Sequence, residues 1–138
     1  MRELGKGNNA MSTIDKMSKI VQRVHDLTQS GNLCWEETEK EGVYQAAFPD
    51  NTVRIREIYT LNEYEEHTGI DYELSIYNEE GKLLEQVKDT DIASVYREAF
   101  ATMKKTYESA RRLALGVDTA LDNLIGHLEQ WPQKIEDT

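Results

Sequence analysis

The hydrophobic period of this chain changes twice, and that constrains its fold more than any other feature. Ile14, Met17, Ile20, Val21, Val24 and Leu27 recur at three- and four-residue intervals, the spacing of one helical face. Ser12 or Thr13 is placed to cap that helix, Asp15 falls in its first turn, and Gly31 stands where a left-handed cap ends it. From residue 33 the period drops to two. LCWEET, VYQAAF, TVRIREIY, DYELSIYN and KLLEQV read as five short strands. Between them lie EKEG, PDN, the polar stretch TLNEYEEHTGI read as a long hairpin loop, and NEEG with Gly81 at a left-handed position. Val53 and Ile55 point one way and Arg54 and Arg56 the other, while Tyr72, Leu74 and Ile76 share a side. No crossover helix separates the strands, so the expected sheet is an antiparallel meander covered on one face.

After the strands the helical period returns. Asp89, Thr90 or Asp91 is placed to cap a helix whose stripe is Ile92, Val95, Tyr96, Ala99, Phe100, Met103, Tyr107, Ala110 and Ala114. Gly116 interrupts it. A second run, with Ala120, Leu121, Leu124, Ile125 and Leu128, continues to Trp131, where Pro132 is expected to stop it. Apolar helices at both ends and a one-faced sheet between them satisfy one another's need for burial. The expected fold is therefore α+β: an N-terminal helix, a five-stranded antiparallel meander, and two C-terminal helices packed on one face of the sheet. Residues 1–11 read as a flexible arm, 12–131 as a single domain and 132–138 as a tail. A length of 138 residues suits one such core.

Charge and cysteine usage then exclude several function classes. No run approaches the ~20 apolar residues of a membrane-spanning helix, and MRELGKGNNA lacks the apolar middle of a signal peptide. The expectation is a cytoplasmic protein without a membrane partner. Cys34 is the only cysteine, so it forms no internal disulfide and holds no zinc alone, and Trp35, Glu36 and Glu37 beside it offer no positive charge to activate a thiol. The net charge is −10, and residues 31–90 account for the excess, with five basic residues against fifteen acidic. Such a surface repels phosphate, so no nucleic-acid partner is expected; another protein, basic where it touches, fits better.

YESARRLALGVDTALDNLIGHLE, residues 107–129, opens like a helix-turn-helix DNA reader, with Ala110, Leu115, Gly116, Val117 and Asp118 in the places of its first half. Asp118, Thr119, Asp122 and Asn123 then stand where a reader presents side chains to bases and phosphates, and the two carboxylates oppose binding. DNA binding through residues 110–126 is thus the weaker alternative. The same tail, taken with the hairpin DYELSIYNEEGKLLEQV, resembles a group of small uncharacterised bacterial α+β proteins. These share an "IYNEDG" hairpin and a closing "YELARR-ALGVD-ALD-L" helix pair. The resemblance covers most of residues 33–129 and implies a bacterial source and a stand-alone domain. It brings no activity or cofactor with it, and the acidic stretch at 60–70 departs from it.

Catalytic chemistry finds no motif. There is no nucleophile elbow and no phosphate-cradling glycine loop, and His25, His67 and His127 lack metal-ligand spacing. His67, beside Glu65 and Glu66 and near Asp71, is the one cluster that suggests a cation, without the pattern of a calcium loop. Adjacent carboxylates at Glu36/Glu37, Glu65/Glu66 and Glu79/Glu80 point to opposite faces if they lie on strands. No catalytic residue, metal site or cofactor is expected. Arg111 and Arg112 flank the apolar stripe and are expected to pair with Glu108 or with carboxylates of the sheet. Tyr44, Tyr59, Tyr64, Tyr72, Tyr77 and Trp131 exceed what a small core needs and suit an interface, so a homodimer is expected. Candidate partner-binding residues are Glu63, Tyr64, Glu65, Glu66, Asp71, Arg111 and Arg112. The leading expectation is a non-enzymatic acidic protein-interaction or regulatory protein, with a chaperone-, immunity- or antitoxin-like role. The alternative is a small-ligand-binding module with its pocket between the sheet and the C-terminal helices.

Overall fold

The computed structural model describes residues 11–136. Nearly all of the expected arm and the last two residues of the expected tail lie outside the described residues. Helix α1 spans Thr13–Gln29. Its cap is Ser12, whose Oγ accepts the Asp15 backbone N–H at 3.1 Å. Its end is closed by Gly31 at φ +79°, with the Gly31 and Asn32 N–H groups donating back to the Thr28 and Leu27 carbonyls. These two bonds need a left-handed residue, which glycine adopts at little cost. Met17, Val21 and Val24 are buried as their spacing requires, and so are Ser18 and Thr28. Thr28 is buried because its hydroxyl is fully used: it donates to the Val24 carbonyl at 2.7 Å and accepts the Trp35 indole N–H at 3.0 Å.

Five strands follow: β1 Trp35–Glu37, β2 Val43–Ala47, β3 Asn51–Leu61, β4 His67–Asn78 and β5 Leu83–Lys88. They lie in chain order and every neighbouring pair is antiparallel. The register gathers Trp35, Ala46, Val53 and Ile76 in one row, and Tyr44, Ile55, Leu74 and Val87 in the next. Those rows form the covered face. The opposite face carries Gln45, Arg54, Ser75 and Gln86 in one row, and Val43, Arg56, Glu73 and Lys88 in another. The stretch expected to be a long loop is mostly strand. β3 runs on to Leu61 and β4 begins at His67, leaving a turn of only Asn62–Glu66. Residues 61–70 are exposed throughout, so no apolar alternation records their pairing; the backbone ladder holds them, with the Thr60–Thr68 hydroxyl pair and the Tyr59–His67 stack across it. The Asn62 Oδ1 accepts the N–H groups of Tyr64 and Glu66, and Glu65 takes the left-handed position.

The helix expected over 89–115 is two helices, α2 Asp89–Ile92 and α3 Ala99–Leu115. Carboxylates in the first turn of α2 fix where it begins and tie it to β4. Asp89 accepts the Tyr72 N–H at 2.8 Å and Asp91 accepts the Lys88 N–H at 2.8 Å. Ile92 stays buried, but Val95 and Phe100 from the expected stripe are exposed. α3 lies against α1 and across the sheet, burying Ala99, Met103, Tyr107 and Ala110. The rings of Tyr44 and Tyr72 both meet that of Tyr107, with centroids 5.7 and 5.6 Å away.

Gly116, at φ +63°, turns the chain into α4, Val117–Glu136. The expectation that both closing helices lie on the sheet holds for α3 and not for α4. Val117 and Gly126 are half-buried, and every other α4 residue as far as Pro132 is exposed. Nor does Pro132 stop the helix, which continues through it. Proline removes the N–H that the Leu128 carbonyl would accept, and on an exposed helix water can take that place.

Candidate functional site

The first candidate is the uncovered face of α4. Leu121, Leu124, Ile125 and Leu128 recur at intervals of three and four residues, and Trp131 continues the row one turn later. This is the pattern of a face built to be buried. Leu124 is 54% exposed, Leu128 63% and Trp131 55%. Together the five side chains leave on the order of 500 Å² of apolar surface open, a size at which exposed patches mark interaction sites. The charged residues of α4 before Pro132 are Asp118, Asp122 and Glu129, all acidic, whereas α3 carries Lys104, Lys105, Arg111 and Arg112 against Glu108.

At the root of α4 lies a shallow cavity, wide open to solvent, of about 230 Å³, lined by Gln29, Gly31, Ser109, Arg112, Leu113 and Asp118, with Thr28 at its side. Its frame is fixed from two directions. The Gln29 side-chain amide donates to the Ser109 hydroxyl at 3.0 Å, tying α1 to α3, and an ion pair of Arg112 with Asp118 ties α3 to α4. Sequence reasoning assigned Arg112 to Glu108 or to the sheet, but the sharp corner at Gly116 brings the first turn of α4 within its reach. Arg111 remains exposed on the same helix end.

A second polar surface occupies the open face of the sheet. Lys40, Arg54, Arg56, Glu73, Ser75 and Gln86 surround a groove of about 180 Å³, with Val43 and Tyr77 at its edges. Glu73 is only 6% exposed although no helix among the described residues packs over it, because the long arms of its neighbours cover it. The Arg56 Nε donates to the Glu73 Oε1 at 2.8 Å. Arg54 reaches Glu39 with both terminal nitrogens at 3.2 Å, gives its Nε to Gln45 at 3.1 Å, and lies 5.2 Å over the Tyr77 ring. The Glu39 carboxyl is held below its ordinary range by a backbone hydrogen bond first, and then by Arg54. Between sheet and α3, Ile55, Leu74, Met103 and Tyr107 form packed core, and at its edge Gly42, Glu57, Tyr59 and Tyr107 border an open depression of about 300 Å³. Burial pushes the Tyr107 hydroxyl up to about 12 and raises that of Tyr72 further, helped by its hydrogen bond to Glu57.

The candidate partner-binding residues fall into separate places. Glu63, Tyr64, Glu65 and Glu66 share the exposed turn between β3 and β4, Asp71 lies within β4 opposite Ile58, and Arg111 and Arg112 stand on α3. No hydrogen bond or ion pair among the described residues joins the turn to the arginines. Glu65/Glu66 and Glu79/Glu80 sit in turns, so the expectation of opposite strand faces applies to Glu36/Glu37 alone. The histidines are dispersed: His25 meets its neighbour Asp26 at 3.1 Å, His67 stacks on Tyr59 at 4.9 Å, and His127 is exposed on α4. Of the aromatic residues assigned to an interface, Tyr44 and Tyr72 are core, while Tyr59, Tyr64 and Trp131 are exposed.

What the sequence reading missed is that the last apolar stripe is surplus. A five-stranded sheet is about 20 Å across and seats two helices at 8–10 Å spacing. α1 and α3 fill it, and that count was available from the sequence. The chain matches no family model, no curated protein and no solved structure.

Proposed function

We propose that this is a protein-interaction protein, acting by contact with another protein chain through the apolar face of α4 rather than by turnover. The observation that carries this reading is the row Leu121, Leu124, Ile125, Leu128 and Trp131, which is spaced for burial and lies open. An isolated helix of this kind in water gains little from its own propensity and needs an apolar partner surface. The acidic excess of residues 31–90 then adds selectivity, since carboxylates steer basic partners and repel acidic ones. A regulatory, chaperone-, immunity- or antitoxin-like role fits such a molecule.

The test compares immobilised wild-type chain with the double variant Leu124→Glu/Leu128→Glu in a native extract. Chains retained by the wild type, copies of itself included, should be lost from the variant while its circular dichroism stays near that of the wild type. Retention that ignores the two substitutions would refute α4 as the contact surface.

The small-ligand reading now rests on the open face of the sheet, where Lys40, Arg54 and Arg56 line one groove and a small anion would compete with Glu39 and Glu73 for the two arginines. A thermal-shift series with phosphate and short dicarboxylates checks it, with Arg56→Gln expected to abolish any shift.

A further inference from the structure

We infer that the occupant of the α4 face is α4 of a second copy of this chain, running antiparallel, with Trp131 seated in the cavity at the root of the partner's α4. This rests on the reading of α4 as the contact surface and names what it contacts.

Three observations select a second copy. The first is the pattern itself. If Leu121 and Leu128 are assigned to the first apolar position of a seven-residue repeat, Val117, Leu124 and Trp131 fall on the second. A seam of that kind is self-complementary. Its flanks are compatible with pairing, because Ala120, Ile125 and His127 border the seam, and Asp122 and Glu129 point away from it. Asp118, the one acid at the border, is already neutralised by Arg112 of its own chain.

The second observation is area. A stable interface needs about 800 Å² from each partner. The α4 face alone offers on the order of 500 Å², so a bare helix pair falls short. The shortfall is met if the far end of α4 reaches the other body. Trp131 lies fourteen residues beyond Val117, or about 21 Å along the helix axis. In an antiparallel seam first positions pack opposite second ones, so Leu121 meets the partner's Leu124, Leu128 its Val117, and Trp131 its Ala114, at the mouth of the partner's corner cavity. Exposed Leu113 and Leu115 lie there, and the volume of about 230 Å³ admits an indole ring. Ile125 follows Asp118 by seven residues and so shares its side of α4, which means that the cavity opens along the flank of the apolar seam.

The third is charge. Antiparallel pairing brings Glu129, in the far half of α4, toward the partner's Arg111 at the basic end of α3. A parallel pair would set the two basic corners side by side and leave both cavities empty.

The experiment uses the whole chain, with its orientation read by disulfide trapping. Sedimentation between nanomolar and 100 micromolar should show a species of twice 15.9 kDa, with Leu124→Glu weakening association at least a hundredfold. Trp35 is buried within each copy and keeps its emission, so dilution should red-shift the emission of Trp131 alone, and Trp131→Phe should abolish that shift. In a Cys34→Ser background, Ala120→Cys combined with His127→Cys, two positions on the same border of the seam, should give covalent dimers, and His127→Cys alone should not. A chain monomeric at 100 micromolar overturns the inference. So does a dimer indifferent to Leu124→Glu, or one trapped by His127→Cys alone. If the pure chain is monomeric but retention from an extract still depends on Leu124 and Leu128, the second copy is excluded and the α4 contact surface survives. If neither depends on α4, both fall.

Discussion

α3 and α4 are adjacent helices of 17 and 20 residues, each with an apolar face, joined through one glycine, and they meet opposite fates. α3 buries Ala99, Met103 and Ala110 completely between α1 and the sheet, while α4 leaves Leu124 and Leu128 in solvent. Amphipathic spacing therefore states a requirement for burial without saying where burial is found. Whether it is found within the chain depends on how much sheet is left to cover.

The contrast is sharpest in a matched pair of truncations. Met103→Ala should cost about 2–5 kcal/mol, because the cavity left at a fully buried site cannot collapse. Leu124→Ala, measured by denaturation at a concentration where the chain is monomeric, should stay within about 0.5 kcal/mol, as at other surface sites. If Leu124→Ala costs as much as Met103→Ala in the monomer, α4 is covered from within the chain and the comparison collapses.

A second test acts on the corner between the two helices. Gly116 holds a left-handed conformation, and an added Cβ would meet nothing within 4 Å, so the cost of Gly116→Ala is conformational and not steric. It should amount to about 1–2 kcal/mol. The more informative reading is direction: an alanine that favours continued helix would straighten α3 into α4 and dismantle the cavity at Arg112 and Asp118. Loss of Trp131 quenching or shift on concentration, with Met103 amide exchange unchanged, would show the corner acting on α4 alone.

These two regions also explain what was legible in the sequence. α1, β2, β3, the second half of β4 and the α3 stripe could be read because each has one apolar side, and Val53, Ile55, Tyr72 and Leu74 are buried as their alternation requires. The hairpin end at 61–70 could not, because both of its sides face water and its pairing leaves no periodic trace. The break at 93–98 was hidden because Ile92, Tyr96, Ala99 and Met103 keep helical spacing across a segment whose backbone is not helical. At the candidate site, the acidic turn residues Glu63, Glu65 and Glu66 were visible as charge. The pairing of Arg112 with Asp118 depends on the angle at Gly116 and was not. The burial of Glu73 likewise depends on arginines nearly twenty residues away in sequence that become neighbours only through the β3–β4 register.

A third measurement probes the polar links that hold α1 to the covered side. Thr28→Val keeps the shape of the side chain but leaves the Trp35 indole N–H and the Val24 carbonyl without Thr28 Oγ1. The expected loss is about 1–3 kcal/mol, the cost of stranding a buried donor. Thr119→Val on α4, where the side chain is exposed, should change stability by less than about 0.5 kcal/mol. Equal effects would mean that α4 carries buried polar links of its own.

The smallest expected effect concerns the start of the second helical region. Asp89 is buried, and that burial, with Asp71 and Asp91 nearby, raises its carboxyl above the ordinary value despite the Tyr72 N–H that it accepts. A group whose pKa is raised on folding binds its proton more tightly in the native state. Its ionisation therefore opposes folding, and stability declines as pH rises from the unfolded value through the folded one. Asp89→Asn keeps an oxygen for the Tyr72 N–H and removes the buried charge. The variant should match or exceed the wild type near neutral pH and lose that part of the decline just above pH 4, while Asp122→Asn on α4, where the carboxylate is exposed, should leave the stability profile as it is. A wild-type stability that instead falls on acidification through this window, and stops doing so in Asp89→Asn, would mean that the Tyr72 N–H outweighs burial at Asp89, and that this carboxylate, unlike those of α4, stabilises the fold by being charged.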